Sequence, residues 1–426
     1  MKKRIAFVLV VSLVFSLMGC SKSPAAAEPA TPTVVFTDDC SREVEVPSDI
    51  SRIVATGPLS QIILYTIAPD MLVGLANKWS SSAEGIVPEA YQQLPYFGQL
   101  YNTANLNVEE LALADPQVII DIGRVMSTGA EDMDTLQQQT GIPTIFLSAD
   151  NESLPQTYRT LGKLLGREEK GEQLAAFCEK VYSRTLAIME QVGDNKVTAL
   201  YIKGEAGTNV LPMGSSHSET LDLLTNNLAV VDNPSHKGSG NEVTMEQIAL
   251  WNPELILFDA DSIYDTVTSL DTWPELSAIA NGNYLEVPEG PWNWMGTPSA
   301  AQRYLGMIWL TAELYPEYCD YDAKAEIMEF YELFYHCTLT QQQYEELTRQ
   351  YEDLKVKYEE LQDRRKQMNE TAIIFGGMLF ELWELEDVPV TFKETLWHTL
   401  VDHATVYADE RIVFHFKDGT EITTML

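Results

Sequence analysis

Gly214-Ser215-Ser216-His217-Ser218 sets hydroxyls beside an imidazole, the two groups from which a nucleophile and its base are made. Adjacency along the chain is not the geometry of a triad, in which the fold places the base and a third group orients it. The chain contains no Gly-x-Ser-x-Gly elbow, no His-Glu-x-x-His pair and no Gly-x-x-x-x-Gly-Lys loop. Catalysis is therefore not expected. A second set of residues suits binding. Trp79 follows Gly74-Leu75-Ala76-Asn77, Tyr101 follows Gly98-Gln99-Leu100, and Arg124 follows Ile120-Asp121-Ile122-Gly123. His217 follows Met213-Gly214-Ser215-Ser216, and Trp292, Asn293 and Trp294 share a late loop. Aromatic faces offer rigid contact area, and a guanidinium neutralises or clamps an anion, so this set fits a bulky small molecule better than a bare ion. One of Trp292 and Trp294 is expected to face the core instead.

These candidates need strands that end beside them. Arg52-Ile53-Val54-Ala55-Thr56 is a short apolar strand, followed by a helical pattern from Leu59 to Ile67 and a second strand at Met71–Leu75. Asn107 to Pro116 reads as a short amphipathic helix with a proline stop that leads into the strand Val118–Asp121, and Gly141–Leu147 supplies another strand. The pattern returns after residue 195: a strand at Val197–Ile202, a helix from Glu219 to Leu228, then Thr244 to Pro253 leading into Leu255–Asp259. Helix, Asn/Asp-Pro and strand modules match position by position between the halves, which indicates two related lobes. Short, nearly all-apolar strands alternating with helices predict α/β lobes with mostly parallel sheets. Between them, Leu174, Phe177, Val181, Leu186, Ile188 and Met189 recur at helical spacing, so Glu168–Val192 should form one long linking helix. Two lobes joined in this way enclose one cleft at their strand ends. The expected boundaries are 34–167, 168–193 and 194–340.

The chain has 426 residues and a formal net charge of -35, which repels polyanions and argues against nucleic acid as a partner. Cys40, Cys178, Cys319 and Cys337 are too widely spaced for a zinc ribbon or a dense disulfide framework; free thiols are expected, with a Cys319–Cys337 bridge left open. Met1-Lys2-Lys3-Arg4, an apolar run from Ile5 to Met18 and Gly19-Cys20 form a secretory signal over residues 1–19. Leu17-Met18-Gly19-Cys20 resembles the lipobox of bacterial lipoproteins, which implies that Cys20 becomes the acylated first residue and anchors the chain to the outer face of the cell membrane. Residues 20–33, rich in Ser, Ala and Pro, read as a flexible tether.

From about Val34 to Tyr335 the paired modules, the linking helix and the segment Gly290-Pro291-Trp292-Asn293-Trp294-Met295-Gly296 before a helix from Arg303 resemble the periplasmic binding proteins of iron-siderophore, haem and vitamin B12 importers. The resemblance implies a helical-backbone binding fold and a ferric siderophore, haem or corrinoid as transported ligand. It also implies, as partners, the permease dimer and ATPase of an ABC importer, with no cofactor of the protein's own. In that family acidic residues on the two lobes meet permease arginines, and the matching positions are Glu109 and, in the second lobe, Asp222 with Glu219 as its neighbour. Haem-binding relatives use His or Tyr as iron ligands. His217 has no nearby cysteine or carboxylate pair, so a core or surface role stands beside a ligand role, and Tyr96 and Tyr101 leave a tyrosine-ligated haem open.

Residues 341–426 differ in character. Tyr344, Tyr351 and Tyr358 alternate with Leu347, Leu354 and Leu361, a coiled-coil stripe of about three heptads that allows weak self-association. A helix through Trp397, Leu400 and Val401 and two strands, Ala404–Tyr407 and Arg411–Phe416, should close the chain as a hairpin. Leu396-Trp397-His398-Thr399-Leu400-Val401-Asp402-His403 and Phe414-His415-Phe416-Lys417-Asp418-Gly419-Thr420 resemble the C-terminal segment of large serine recombinases, without the catalytic domain. A fused remnant is one reading. The other is a surface scaffold or adhesin oligomerised by the tail.

Overall fold

The computed structural model describes residues 32–99, 107–348, 397–398, 400–417 and 419–425. The signal, the lipidation candidate Cys20, Tyr101 and the coiled-coil stripe beyond residue 348 lie outside the described residues. The chain divides into two compact units between Leu347 and Thr348.

In the first unit a hairpin of β1 (Thr33–Thr37) and β2 (Glu43–Pro47) precedes β3 (Ile53–Ala55). Pro58 opens helix α1 (Pro58–Ile67), where its missing N–H costs no hydrogen bond. Helix α2 (Val108–Ala114) is capped by the Asn107 side chain and leads to β4 (Val118–Gly123). Helix α3 (Gly129–Thr140) stops at the left-handed Gly141 and gives way to β5 (Thr144–Ser148). Strands β3, β4 and β5 pair in that order, all parallel. The strand expected at Met71–Leu75 is reduced to single bridges, Leu72 to Ile53 and Leu75 to Tyr96, because a 3-10 turn at Pro69–Met71 uses up its start.

Helices α4 (Leu154–Leu165) and α5 (Glu168–Val192) form an antiparallel pair. The bounds of α5 coincide with those of the predicted linking helix. Gly171 is required at the crossing, since a Cβ there would stand 2.6 Å from the Tyr158 carbonyl oxygen. Strand β6 (Thr198–Lys203) opens the second lobe, and β7 (Asn209–Val210) pairs with it antiparallel. Helix α6 (Glu219–Leu224) ends four residues short of the predicted Leu228 because Asn226–Asn227 (β8) joins β6 as a parallel strand. After β9 (Asn241–Glu242) come helix α7 (Met245–Trp251), β10 (Leu255–Phe258) and β11 (Tyr284–Glu286), giving the order β11-β10-β6-β7-β9. Helices α8 (Arg303–Leu314) and α9 (Ala323–Tyr335) complete the core, α9 packing on α1, α5 and α8.

The first unit extends past the predicted Thr340. Residues 341–348 are helical, and buried Leu347 brings a Cδ within 2.3 Å of where a Cβ on Gly290 would stand. A chain ended at Thr348 is expected to keep the stability of the first unit. A chain ended at Thr340 loses the Leu347 and Tyr344 packing, costing about 2–3 kcal/mol in a urea titration.

The described part of the second unit is a three-stranded antiparallel sheet, β12 (Val401–Val406), β13 (Arg411–Phe416) and β14 (Glu421–Met425). It corrects the predicted two-stranded hairpin. Val401 begins a strand, and residues past Gly419 return along β13.

Candidate functional site

The parallel strands of both lobes end at one cleft, as the crossover rule for such sheets requires. From the first lobe, Pro58, Leu59, Arg124 and Ala149 follow β3, β4 and β5; from the second, Ser216, His217 and Glu219 face them, with 236–238 and 297–299 closing the sides and Arg303 behind. They enclose about 510 Å³, within the ordinary range of small-molecule pockets. A second cavity of about 420 Å³ lies at the opposite ends of β6, β10 and β11, lined by Val197, Leu255 and Tyr284, where such sheets do not bind ligands.

The cleft is cationic in an acidic chain. Arg124, Lys237 and Arg303 line it against Glu219 alone. Arg303 is 1 % exposed; its Nη1 donates to Glu219 Oε2 at 2.5 Å and its Nε to the Ala300 carbonyl at 3.2 Å. Its Nη2 is buried and has no hydrogen-bond partner among the described residues. Glu219 also accepts the Asn151 backbone N–H at 3.3 Å, and Tyr304 donates its hydroxyl to the Asn151 carbonyl at 2.8 Å, so this ion pair fastens the seam between the lobes. Burial pushes the Glu219 carboxyl above its usual range, while Arg303 draws it back. Exposed Arg124, on the first-lobe side of the same cavity, draws this carboxyl down more weakly than Arg303 does.

His217 lines the cleft as an anchored ring. Its Nδ1 lies 2.9 Å from the Gly296 carbonyl, which can only accept, so Nδ1 carries the proton. Burial lowers its pKa, which favours the neutral imidazole. Beneath it, Lys203 pairs with Asp259, which also accepts from the Asn293 amide at 2.7 Å and the Tyr201 hydroxyl at 3.3 Å. Burial pulls the Lys203 pKa down.

Arg124 and His217 thus reach the cavity, and two other expectations are corrected, Trp294 being the tryptophan of the pair that faces the core. Trp294 is fully buried, donating from Nε1 to the Tyr331 hydroxyl at 3.2 Å. Asn293 is 3 % exposed and consumed by Asp259 and Tyr201. Trp79 and Trp292 pack on each other at 4.8 Å between ring centroids, Trp79 against Tyr65 and Trp292 against Tyr335. Neither lines the 510 Å³ cavity, and Trp79 instead lines a separate one of about 800 Å³ with Glu84, Ile86 and Glu89. Among the docking candidates, Glu109 is exposed on α2, but Asp222 is not free. Its carboxylate accepts from the Gly214 N–H at 2.8 Å, the Ser218 hydroxyl at 3.0 Å and the Asn227 amide at 2.8 Å, which ties the loop before α6 to the strand after it. Glu219 is committed to Arg303.

Sequence reasoning passed over Arg303, His236 and Lys237. Arg303 left a signal: a cation in the first turn of a helix opposes the macrodipole and calls for a compensating anion. Cys40, Cys178, Cys319 and Cys337 are free thiols. Among the described residues no group of three or more His, Cys, Asp or Glu could hold a metal ion, and no helix is long and apolar enough to cross a membrane.

Two α/β lobes, a long connecting helix and one cationic interlobe cavity define a solute-binding protein. The sequence matches the periplasmic binding protein family over residues 53–290, and the chain belongs to that family, one of binding proteins and not of enzymes. It is similar to an ABC transporter solute-binding protein from Sulfurospirillum deleyianum, with 25% identity over 74% of this chain and 99% of that one and a TM-score of 0.68. A periplasmic solute-binding protein from Veillonella parvula shares the fold at 23% identity and a TM-score of 0.63, over 75% of this chain and 97% of that one. So does the molybdate-bound MolA of Haemophilus influenzae, at 17% identity and a TM-score of 0.58, over 72% of this chain and 99% of that one. No curated protein matches the chain.

Proposed function

We propose that this protein is the extracytoplasmic receptor of an ABC importer, tethered through a lipid on Cys20, and that its solute is an anionic small molecule of the metal-chelate class. The cationic lining of the interlobe cavity carries the reading. A chain of net charge -35 gathers Arg124, Lys237 and Arg303 around one acid, and a carboxylate-bearing or catecholate ligand would repay their desolvation. An acidic ferric siderophore fits this lining better than an uncharged corrinoid; haem, with two propionates, shares the required charge. The test is calorimetric titration of the chain lacking its first twenty residues with haem, a ferric catecholate, a ferric hydroxamate, molybdate and cobalamin. Saturable binding of an anion, weakened about ten- to a hundredfold by Arg124→Ala, is the expected result. Binding of cobalamin alone, unaffected by that substitution, would sink the anionic reading. Tryptophan fluorescence is the poorer readout, because neither Trp79 nor Trp292 lines that cavity.

For delivery we assign the docking acids to Glu109 and Glu246, in place of Asp222. Both are exposed, and each is the second residue after its helix cap, Asn107 or Thr244. Carboxylates so placed on the two lobes can meet one basic group on each permease subunit, setting orientation and encounter more than raw affinity. A scaffold role would instead leave uptake insensitive to both acids.

A further inference from the structure

The modules that carry Glu109 and Glu246 agree in more than their acids. Each cap side chain accepts the N–H three residues on, at 3.1 Å from Glu110 and 3.2 Å from Gln247. Each helix buries its fourth residue after the cap, Leu111 or Ile248, and ends in a left-handed non-glycine residue, Asp115 at φ 46° or Asn252 at φ 40°. After the proline, Gln117 donates its N–H to the Arg52 carbonyl and Glu254 to that of Thr198, at 2.9 and 3.1 Å. At the sixth position after the cap both modules carry a leucine, and both leucines are solvated: Leu113 is 84% and Leu250 78% exposed. One exposed leucine is ordinary. Two at the same step of matched modules, each one helical turn from an exposed glutamate, form a repeated apolar-acidic motif.

Resting on the importer reading, we propose that Leu113 and Leu250 are paired plugs that seat in two equivalent apolar sockets, each with a basic rim, on the two permease subunits. A repeated motif is matched by a partner that repeats its own surface, as a two-fold dimer does. Desolvation of both side chains would supply contact energy, with the glutamates setting register.

The test uses the full chain in its own cells, with a photo-crosslinking residue placed singly at 109, 113, 246, 250 and, as control, at exposed Leu186 on α5. The expected result is an adduct from 113 and from 250 with the same polypeptide, identified by its peptides as the permease subunit, and none from 186. Leu113→Ser with Leu250→Ser should cut solute uptake about tenfold at unchanged protein level and solute affinity. Permease adducts from 109 and 246 but none from 113 and 250, with uptake unchanged in the double serine variant, would overturn the plugs and leave the importer reading standing. No permease adduct from any of the four positions would overturn both.

Discussion

Replacing Glu109 and Glu246 together by lysine should abolish solute-dependent stimulation of the importer's ATPase, a loss of about a hundredfold, while solute affinity stays within twofold. The magnitude follows from setting like charges against each other at two contacts, which costs several kcal/mol where a single rim pair contributes little. Each single lysine variant should fall between, because one correct contact still orients the complex. Both side chains are exposed and outside the cavity, so folding and capture have no reason to change. Stimulation measured with the permease and ATPase in proteoliposomes decides the matter. Full activity of the double variant would remove the docking assignment without touching the solute site.

The second large effect is on stability. Trp294→Ala should destabilise the first unit by about 3–5 kcal/mol in a denaturant titration, the cost of truncating a large buried aromatic. Trp294 is wholly buried, touches Trp309 and Tyr331 edge-on and gives its indole N–H to the Tyr331 hydroxyl. Tyr331 in turn donates to the Gly290 carbonyl, so the truncation loosens the segment leading from β11 to α8. Trp292→Ala, at a half-buried ring, should cost about half as much. Equal costs would mean that burial does not rank these residues.

Which parts of this were legible beforehand follows from how local each cause is. Helix α5 could be bounded from its residues because helical spacing runs from Glu168 to Val192 past a single glycine, Gly171, and Gly193 ends it. The strands β3, β4, β6 and β10 were readable as apolar runs because parallel strands buried on both faces need no alternation. The same repeat that revealed two lobes also sets Glu246 opposite Glu109; the choice of Asp222 passed over that alignment. Met71–Leu75 misled because an apolar run is compatible with a strand even where its backbone is spent on a turn and two bridges.

The late loop shows where local causes stop. Composition could say that Trp292, Asn293 and Trp294 lie past a strand end, but a loop has no fixed periodicity to aim its side chains. Their directions are set by Tyr335, Asp259 and Tyr331, which come from α9, the end of β10 and α9 again. The amino-acid sequence by itself determined the linking helix and the strand that precedes Arg124, which rest on neighbours within a few turns of chain, and the two-lobed class, which rests on a module repeated at 107–121 and 244–259. Tertiary structure alone decided that Arg303 and Glu219 meet across 84 residues, that they do so on the seam at Asn151, and that Trp79 and Trp292 pack on each other and on Tyr65 and Tyr335. Charge pairing and ring packing act through space, and only the folded chain states which groups share it.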